Sequence, residues 1–526
     1  MVRLFYFWCG CPVKIYRYIF RKDKNHYICI ATLSLEIMKR FSVITKYIFV
    51  AIVVLLCVWF GTFSYIKLRT IERNGGFDLY MLVPPSAVTI LDTNNASALI
   101  KETDALNSSK DNHTLRIPQL LANLKQYYTF LIKKTPNGLS KPLNKVLVSF
   151  HELDNPDNQI FYCRLGSNDS QIMERFIVLH GGNSFPFKSF DYKGEEMRIY
   201  PMSDGRFLTA YFTQDFFVVS YQKCLVEEVI DAYLSKKSIL TDMAFAQVFA
   251  DKKTSTPTTM YIRTKPIDTN SHTENWIEFD VQTNSDAIYL SGVTYTGGNS
   301  TFTDVFGEQT SITGFPGDAV PASSFFFGRY AASDWHSILN LATRYDNDAA
   351  SVAINNKIIY FLEDNALPYI TTCLFWAADS TQKTLCSVMN IPMKYTAQVE
   401  RRWKELSETF STDMLQIHTC FYKGSLLIAP DTTSLSSYMY YLDKNETLEG
   451  KTLYEESISK LSASYNVMTV VDMQEFFDQP NGYTRFFPAF FYRNRDFFSQ
   501  FIFIVQLVYD EKNRIYPNMI LLYKGN

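Results

Sequence analysis

The side chains of this chain that could carry chemistry stand apart from one another. Seven histidines, His26, His113, His151, His180, His272, His336 and His418, occur singly, and none has a partner at H-x-x-x-H or C-x-x-C spacing. A bound metal needs several such ligands converging on one point, so the sequence predicts no metal site. Acyl transfer, nucleotide hydrolysis and dinucleotide chemistry have their own signatures: a G-x-S-x-G elbow, a G-x-x-x-x-G-K loop or a G-x-G-x-x-G turn. None occurs here. The nearest imitation, His180-Gly-Gly182, follows a helical stretch and reads as a glycine helix cap rather than an oxyanion loop. Adjacent carboxylates at Glu195-Glu196, Glu227-Glu228, Glu455-Glu456 and Asp510-Glu511 point to opposite faces of a strand or diverge around a helix. Such pairs make solvated surface, not an acid–base dyad. The expectation is therefore no catalytic residue, no metal and no cofactor.

One stretch concentrates binding chemistry instead. Between Arg485 and Phe501 the chain alternates phenylalanines with arginines. Read as a platform, Arg485, Phe486, Phe487, Arg493 and Arg495 would suit a lipid headgroup, an anionic glycan or a partner's helix. Read as structure, Phe490, Phe497, Phe498 and Phe501 pack under the closing hairpin. Pro488 belongs in the first turn of any helix here, which leaves Phe486 outside it and favours Phe486 and Phe487 as the exposed pair.

The elements that hold these residues follow a duplicated pattern. Phe216–Ser220 is a strand-like run followed by the helical stripe Val226, Val229, Ile230 and Tyr233; 209 residues later Ser425–Ala429 precedes Leu435, Tyr438, Met439 and Leu442. At the same offset Phe245 and Phe249 become Tyr454 and Ile458, and Met260–Ile262 becomes Thr469–Val471. The openings, Pro85–Leu91 and Pro321–Phe327, correspond, as do Glu174-Arg175 and Glu400-Arg401 on matching helices. So do the closing hairpins, Ile277–Val281 with Ile288–Tyr295 and Ile502–Tyr509 with Ile515–Tyr523. The expected fold class is α+β: an N-terminal transmembrane helix, then two tandem pseudo-repeat units, residues 80–298 and 312–526. Each unit would be an antiparallel sheet with helices on one face.

The crossing is expected at residues 47–66, twenty residues without a charge between Lys46 and Lys67. A helix of that length spans about 30 Å, the thickness of a bilayer's hydrocarbon core. Before it, residues 38–46 form a basic stub, residues 1–37 read as a leader outside the working protein with translation starting at Met38, and residues 67–79 follow as a linker. The apolar run exceeds a signal-peptide core and lacks a small-residue cleavage site, so it is expected to be retained, with the stub inside and the long body outside.

A basic stub, one uncleaved crossing, the opening Leu82-Val-Pro-Pro85 and the strand–helix pattern from Val218 to Phe245 together resemble uncharacterised single-pass envelope proteins of Gram-negative bacteria that carry a domain of unknown function. The resemblance covers most of residues 38–526. It implies an inner-membrane anchor with a periplasmic body and lends no catalytic residues.

Composition narrows the partners. Residues 1–73 hold 12 basic and 3 acidic side chains, leaving 39 against 50, or −11, for residues 74–526. A mildly acidic body excludes nucleic acid as the expected partner. With 47% hydrophobic and 16% aromatic residues, the chain can fill a large core. Five cysteines beyond the crossing are too few and too odd in number for a disulfide framework; Cys373 and Cys386 across a hairpin near Asp379-Ser380 suit either a bridge or two buried thiols. The expected function is a tethered, non-enzymatic binding or scaffolding module of the envelope, meeting the inner membrane through 47–66 and an envelope protein or lipid through its body. The alternative is a carrier or chaperone for a hydrophobic ligand, lipid or unfolded outer-membrane protein.

Overall fold

The structure is a computed structural model that describes residues 58, 61–62, 77–105, 145–152, 155, 157–165, 173–174, 177, 187–202, 205–250, 256–264, 275–295, 302–338, 349–378, 383–394, 396–408, 418–478, 491–492, 495–510 and 514–524. The chain divides into residues 1–76 and a body from Phe77 to Asn526. In the body the strands are, in chain order, β1 (Thr89–Thr93), β2 (Val146–Phe150), β3 (Gln159–Arg164), β4 (Lys188–Tyr192), β5 (Glu195–Pro201), β6 (Phe207–Phe212), β7 (Phe216–Ser220), β8 (Thr258–Thr264), β9 (Asn275–Thr283) and β10 (Ala287–Tyr295). They continue as β11 (Ile312–Thr313), β12 (Ser324–Ala331), β13 (Tyr369–Trp376), β14 (Leu385–Pro392), β15 (His418–Tyr422), β16 (Ser425–Ala429), β17 (Ser464–Tyr465), β18 (Val467–Asp472), β19 (Phe501–Tyr509) and β20 (Arg514–Tyr523).

Eighteen of them form one antiparallel sheet; β11 and β17 pair separately. Read from edge to edge by hydrogen bonding, the order is β4, β5, β6, β7, β3, β2, β1, β8, β9, β10, β20, β19, β18, β12, β13, β14, β16, β15. Inside this order β10 pairs with β20, from Ala287 opposite Leu522 to Tyr295 opposite Arg514. The turn that delivers β10 is an Asx turn: Asn284 Oδ1 accepts from the backbone nitrogens of Asp286 at 2.9 Å and Ala287 at 2.7 Å. Tight hairpins also shape both edges. Lys193-Gly194 and Lys423-Gly424 each place two successive residues at positive φ, the left-handed geometry that a two-residue hairpin loop requires.

The strands read as continuous apolar runs because both faces of the sheet are covered. In β2, β3 and β7, Leu147, Ile160, Tyr162, Phe216 and Val218 join one core. Their neighbours Val146, Val148, Phe161, Cys163, Phe217 and Val219 join the core on the opposite face. Helices Lys223–Ser235 and Met243–Ala250 close the first with Val226, Val229, Ile230 and Phe245. Ala96 of helix Ala96–Ala105 packs into the second. Further along the sheet, helix Thr432–Asp443 contributes Leu435 and Tyr438 to one core, while Ile359 and Leu362 of helix Ala349–Asn365 and Val399 and Trp403 of helix Thr396–Ser407 fill another.

These findings correct the expected fold class. Strands β7, β8, β16 and β18 and helices Lys223–Ser235, Met243–Ala250, Thr432–Asp443 and Thr452–Ile458 lie where the residue patterns put them, but they are not parts of two units with a sheet apiece. The long β9–β10 and β19–β20 hairpins continue edge to edge, so backbone pairing runs on where a boundary was expected. The cluster of Phe279 and Leu290 with Phe501, Phe503 and Leu521 spans that seam. Helices confined to one face are also corrected, because apolar side chains on both faces must be covered. Among the described residues no helix is long and apolar enough to cross a membrane. Of the run 47–66 only Val58, Gly61 and Thr62 are described; they are helical, with Thr62 Oγ1 donating to Val58 O at 2.8 Å. The leader 1–37, the stub 38–46 and all of the linker before Phe77 lie outside the described residues.

Cys373 and Cys386 are buried, free thiols on adjacent strands of the β13–β14 hairpin. Their register partners are Val388 and Phe375, not each other. Burial pushes both thiols up from their ordinary range, the inert behaviour of core cysteines.

Candidate functional site

Of the sequence-predicted platform, Arg485, Phe486, Phe487 and Arg493 lie outside the described residues, as does Phe490. Arg495 opens the short helix Arg495–Phe498 and is exposed. Its Nη2 donates to Asp478 Oδ1, and its guanidinium lies 6.0 Å from the centre of the Phe477 ring. Around it the aromatics are structural. Phe498 and Phe501 are buried and Phe497 is half-buried, with the Phe491 ring tilted at 4.6 Å from Phe498 and Met473, Phe476 and Phe477 in the same core.

Two other places bring functional groups together. The first is an open cleft of about 590 Å³ lined by Phe315, Gly317, Asp318, Arg329, Glu449, Glu455, Ile458 and Ser459. One wall is the loop ahead of β12, and the other is helix Thr452–Ile458 with the residues leading into it. Arg329 rises from β12, but its charge is already engaged. Nη1 donates to the carbonyls of Thr313 at 3.5 Å and Gly314 at 3.4 Å, and the guanidinium stacks 4.2 Å from the centre of the Tyr369 ring. Tyr465 holds the same loop by donating to Gly314 O at 2.5 Å. Glu455 accepts from Gly450 N at 2.9 Å, which fixes the far wall. Asp318, Glu449 and Glu455 are exposed, so three carboxylates face one guanidinium over the apolar surface of Phe315 and Ile458.

The second place is a chain of hydrogen bonds centred on His151. Ser149 and His151 are two residues apart at the end of β2, on the same face, and the Ser149 hydroxyl lies 2.9 Å from His151 Nε2 and 2.9 Å from the Tyr162 hydroxyl. On the other side of the ring, Nδ1 lies 2.8 Å from Ser86 Oγ, which donates to Glu228 Oε2 at 2.5 Å. Ser149 and Tyr162 are buried, Glu228 and His151 half-buried, and Ser86 exposed.

Donor counting sets the direction of this chain. The buried Tyr162 hydroxyl has Ser149 as its acceptor, Ser149 then donates to Nε2, and the ring's single proton sits on Nδ1 and points at Ser86. Every member is satisfied only with a neutral imidazole. Protonating Nε2 would put three protons on the Nε2–Ser149–Tyr162 chain and leave one of the two hydroxyl protons without an acceptor in it. Accordingly, burial first and the nearby Arg263 second lower His151 from its ordinary value to about 4. Burial also pushes the Tyr162 hydroxyl well up, keeping it a donor.

The turn carrying Ser86 is held from three sides. Ala87 N donates to Pro84 O at 3.1 Å, and Val88 N to Phe150 O at 2.8 Å. Arg263 Nη2 donates to Pro85 O at 2.8 Å, while the same guanidinium pairs with Asp242 at 3.3 Å and packs 4.9 Å from the Trp276 ring centre.

Sequence reasoning placed His151 among the scattered histidines and Glu228 among the solvated carboxylates. The S-x-H spacing of Ser149 and His151 on a strand was the only local signal available; Ser86 and Glu228 arrive from 65 and 142 residues of separation in their contacts. No three or more His, Cys, Asp or Glu side chains among the described residues are grouped to hold a metal ion. No family model, curated protein or solved structure matches the chain.

Proposed function

We infer that the body is a binding module whose ligand site is the cleft between the loop ahead of β12 and helix Thr452–Ile458. The observation that carries this reading is the charge arrangement: Asp318, Glu449 and Glu455 surround an apolar floor, and the one guanidinium present is spent on backbone carbonyls and a tyrosine ring. Such a cleft favours a cationic group on an apolar stem, as in a lysine or arginine side chain of a basic, partly hydrophobic peptide segment. A protein partner is therefore the preferred ligand class. A carrier for a wholly apolar molecule would need an apolar enclosure, and the carboxylates at this opening work against one.

Isothermal titration of the full chain with a short Lys/Phe-containing peptide tests the reading. Binding that weakens as salt rises is expected, and the double variant Glu449→Gln/Glu455→Gln should bind about tenfold or more weakly at unchanged melting temperature. Equal affinity in the double variant, or no heat of binding in the parent protein, would overturn the assignment.

A further inference from the structure

We propose that Ser86 is a nucleophilic serine for acyl transfer from small esters, with Glu228 receiving its proton and the Nδ1–H of His151 steadying the oxygen as charge develops. This is a second activity, separate from the acidic cleft. Three features of the geometry carry it. Ser86 Oγ is exposed and can be reached from solvent, yet it makes two polar contacts at once, to a carboxylate at 2.5 Å and an imidazole at 2.8 Å. Exposed Ser189 and Ser285 also donate to a carboxylate, at 2.7 and 2.9 Å, so what sets Ser86 apart is the imidazole on the same oxygen, and a base within this distance is the first requirement for activating a hydroxyl. The imidazole is held in the tautomer that donates, because Ser149, itself bonded to Tyr162, occupies its other nitrogen from the buried side. Finally, the turn is pinned through Pro84, Pro85 and Val88, so the hydroxyl is presented without the loop freedom that would have to be lost on reaction.

The step balances without an added reagent. Oγ forms a bond to the ester carbonyl carbon as its proton passes to Glu228 Oε2. The positive guanidinium of Arg263, held one residue away at Pro85 O, adds favourable potential at the developing oxyanion. Collapse of the tetrahedral species breaks the ester C–O bond, and the leaving alkoxide takes the proton back from Glu228. Water then attacks the acyl-Ser86 ester by the same route, releasing the carboxylic acid and restoring the hydroxyl. The order of groups, carboxylate to serine and serine to histidine, differs from a triad in which histidine stands in the middle, which assigns the base role to Glu228 and a positioning role to the Ser149–Tyr162 pair.

The test uses the full chain and a fluorophosphonate probe, with the adduct located by peptide mass mapping and its rate followed by intact mass. A single adduct on the peptide containing Ser86 is expected, absent in Ser86→Ala. In Glu228→Gln, labelling should slow by about 100-fold while the melting temperature and circular dichroism stay those of the parent. Tyr162→Phe serves as the positioning check, with slower labelling and an unchanged cleft titration. No adduct on Ser86, or an adduct forming equally fast in Glu228→Gln, would overturn the proposal. Because peptide binding at the acidic cleft is read separately, either reading can fail alone.

Discussion

At the scale of single residues, His151 shows how burial converts a common side chain into a specialised one. Its ordinary value of 6.5 is lowered to about 4, so between those limits the unfolded chain takes up a proton that the folded chain refuses. Above pH 6.5 the ring is neutral in both states and contributes nothing to pH dependence. As pH falls towards 4, stability drops by roughly 3 kcal/mol from this group alone, and below 4 the loss levels off. Urea titrations of the parent and of His151→Ala at a series of pH values should therefore diverge in slope between pH 6.5 and 4, the variant lacking that component. Parallel curves would show that the ring is accessible and ordinary. The lowered value and the donor counting agree, since both require the neutral ring between Ser149 and Ser86.

At the scale of elements, two glycines separate backbone conformation from packing. Gly194, in the β4–β5 hairpin, has φ +86 and open space where a Cβ would stand. Gly194→Ala should cost about 1 kcal/mol, all of it conformational. Gly292, in β10, meets Glu278 O and the Phe279 ring, each at 2.6 Å from an added Cβ. Glu278 O is backbone of the neighbouring strand β9 and cannot swing aside, so Gly292→Ala should cost about 1 to 3 kcal/mol through overpacking. Chemical denaturation of the two variants checks the order; a larger loss at Gly194 would contradict the β9–β10 packing. The aromatic segment belongs to this scale as well. Of its described residues, Phe491, Tyr492, Phe497, Phe498 and Phe501 are held by the core around Phe476 and Phe477, and Arg495 serves as a tie to Asp478.

At the scale of the whole body, continuity of the sheet has a consequence for unfolding. The β10–β20 pairing and the Phe279, Leu290, Phe501, Phe503, Leu521 cluster join the two parts of the strand order, β4 to β10 and β20 to β15, through both hydrogen bonds and apolar contact. Separating them would expose a central strand edge and an aromatic core together, which is costly. One cooperative transition is therefore expected for residues 77–526. Far-ultraviolet circular dichroism and tryptophan fluorescence should give coincident urea curves; two resolved steps would mean that the seam is weak.

Local order was legible in the residues themselves. Short apolar runs bounded by turn residues place β7, β8, β16, β18, β19 and β20, and three-four stripes place helices Lys223–Ser235 and Thr432–Asp443, because side-chain direction follows from backbone geometry within a few neighbours. What the tertiary structure alone decided is every partnership between distant elements. Strand edges carry the same backbone donors and acceptors whatever the sequence, so nothing in the pattern of β10 and β20 says that they pair with each other. The same physics governs the sites. Glu228 on its helix, Ser86 on its turn and His151 at its strand end are unremarkable apart, and they become one hydrogen-bonded chain only because the sheet and its covering helix meet at the Pro84-Pro85 turn.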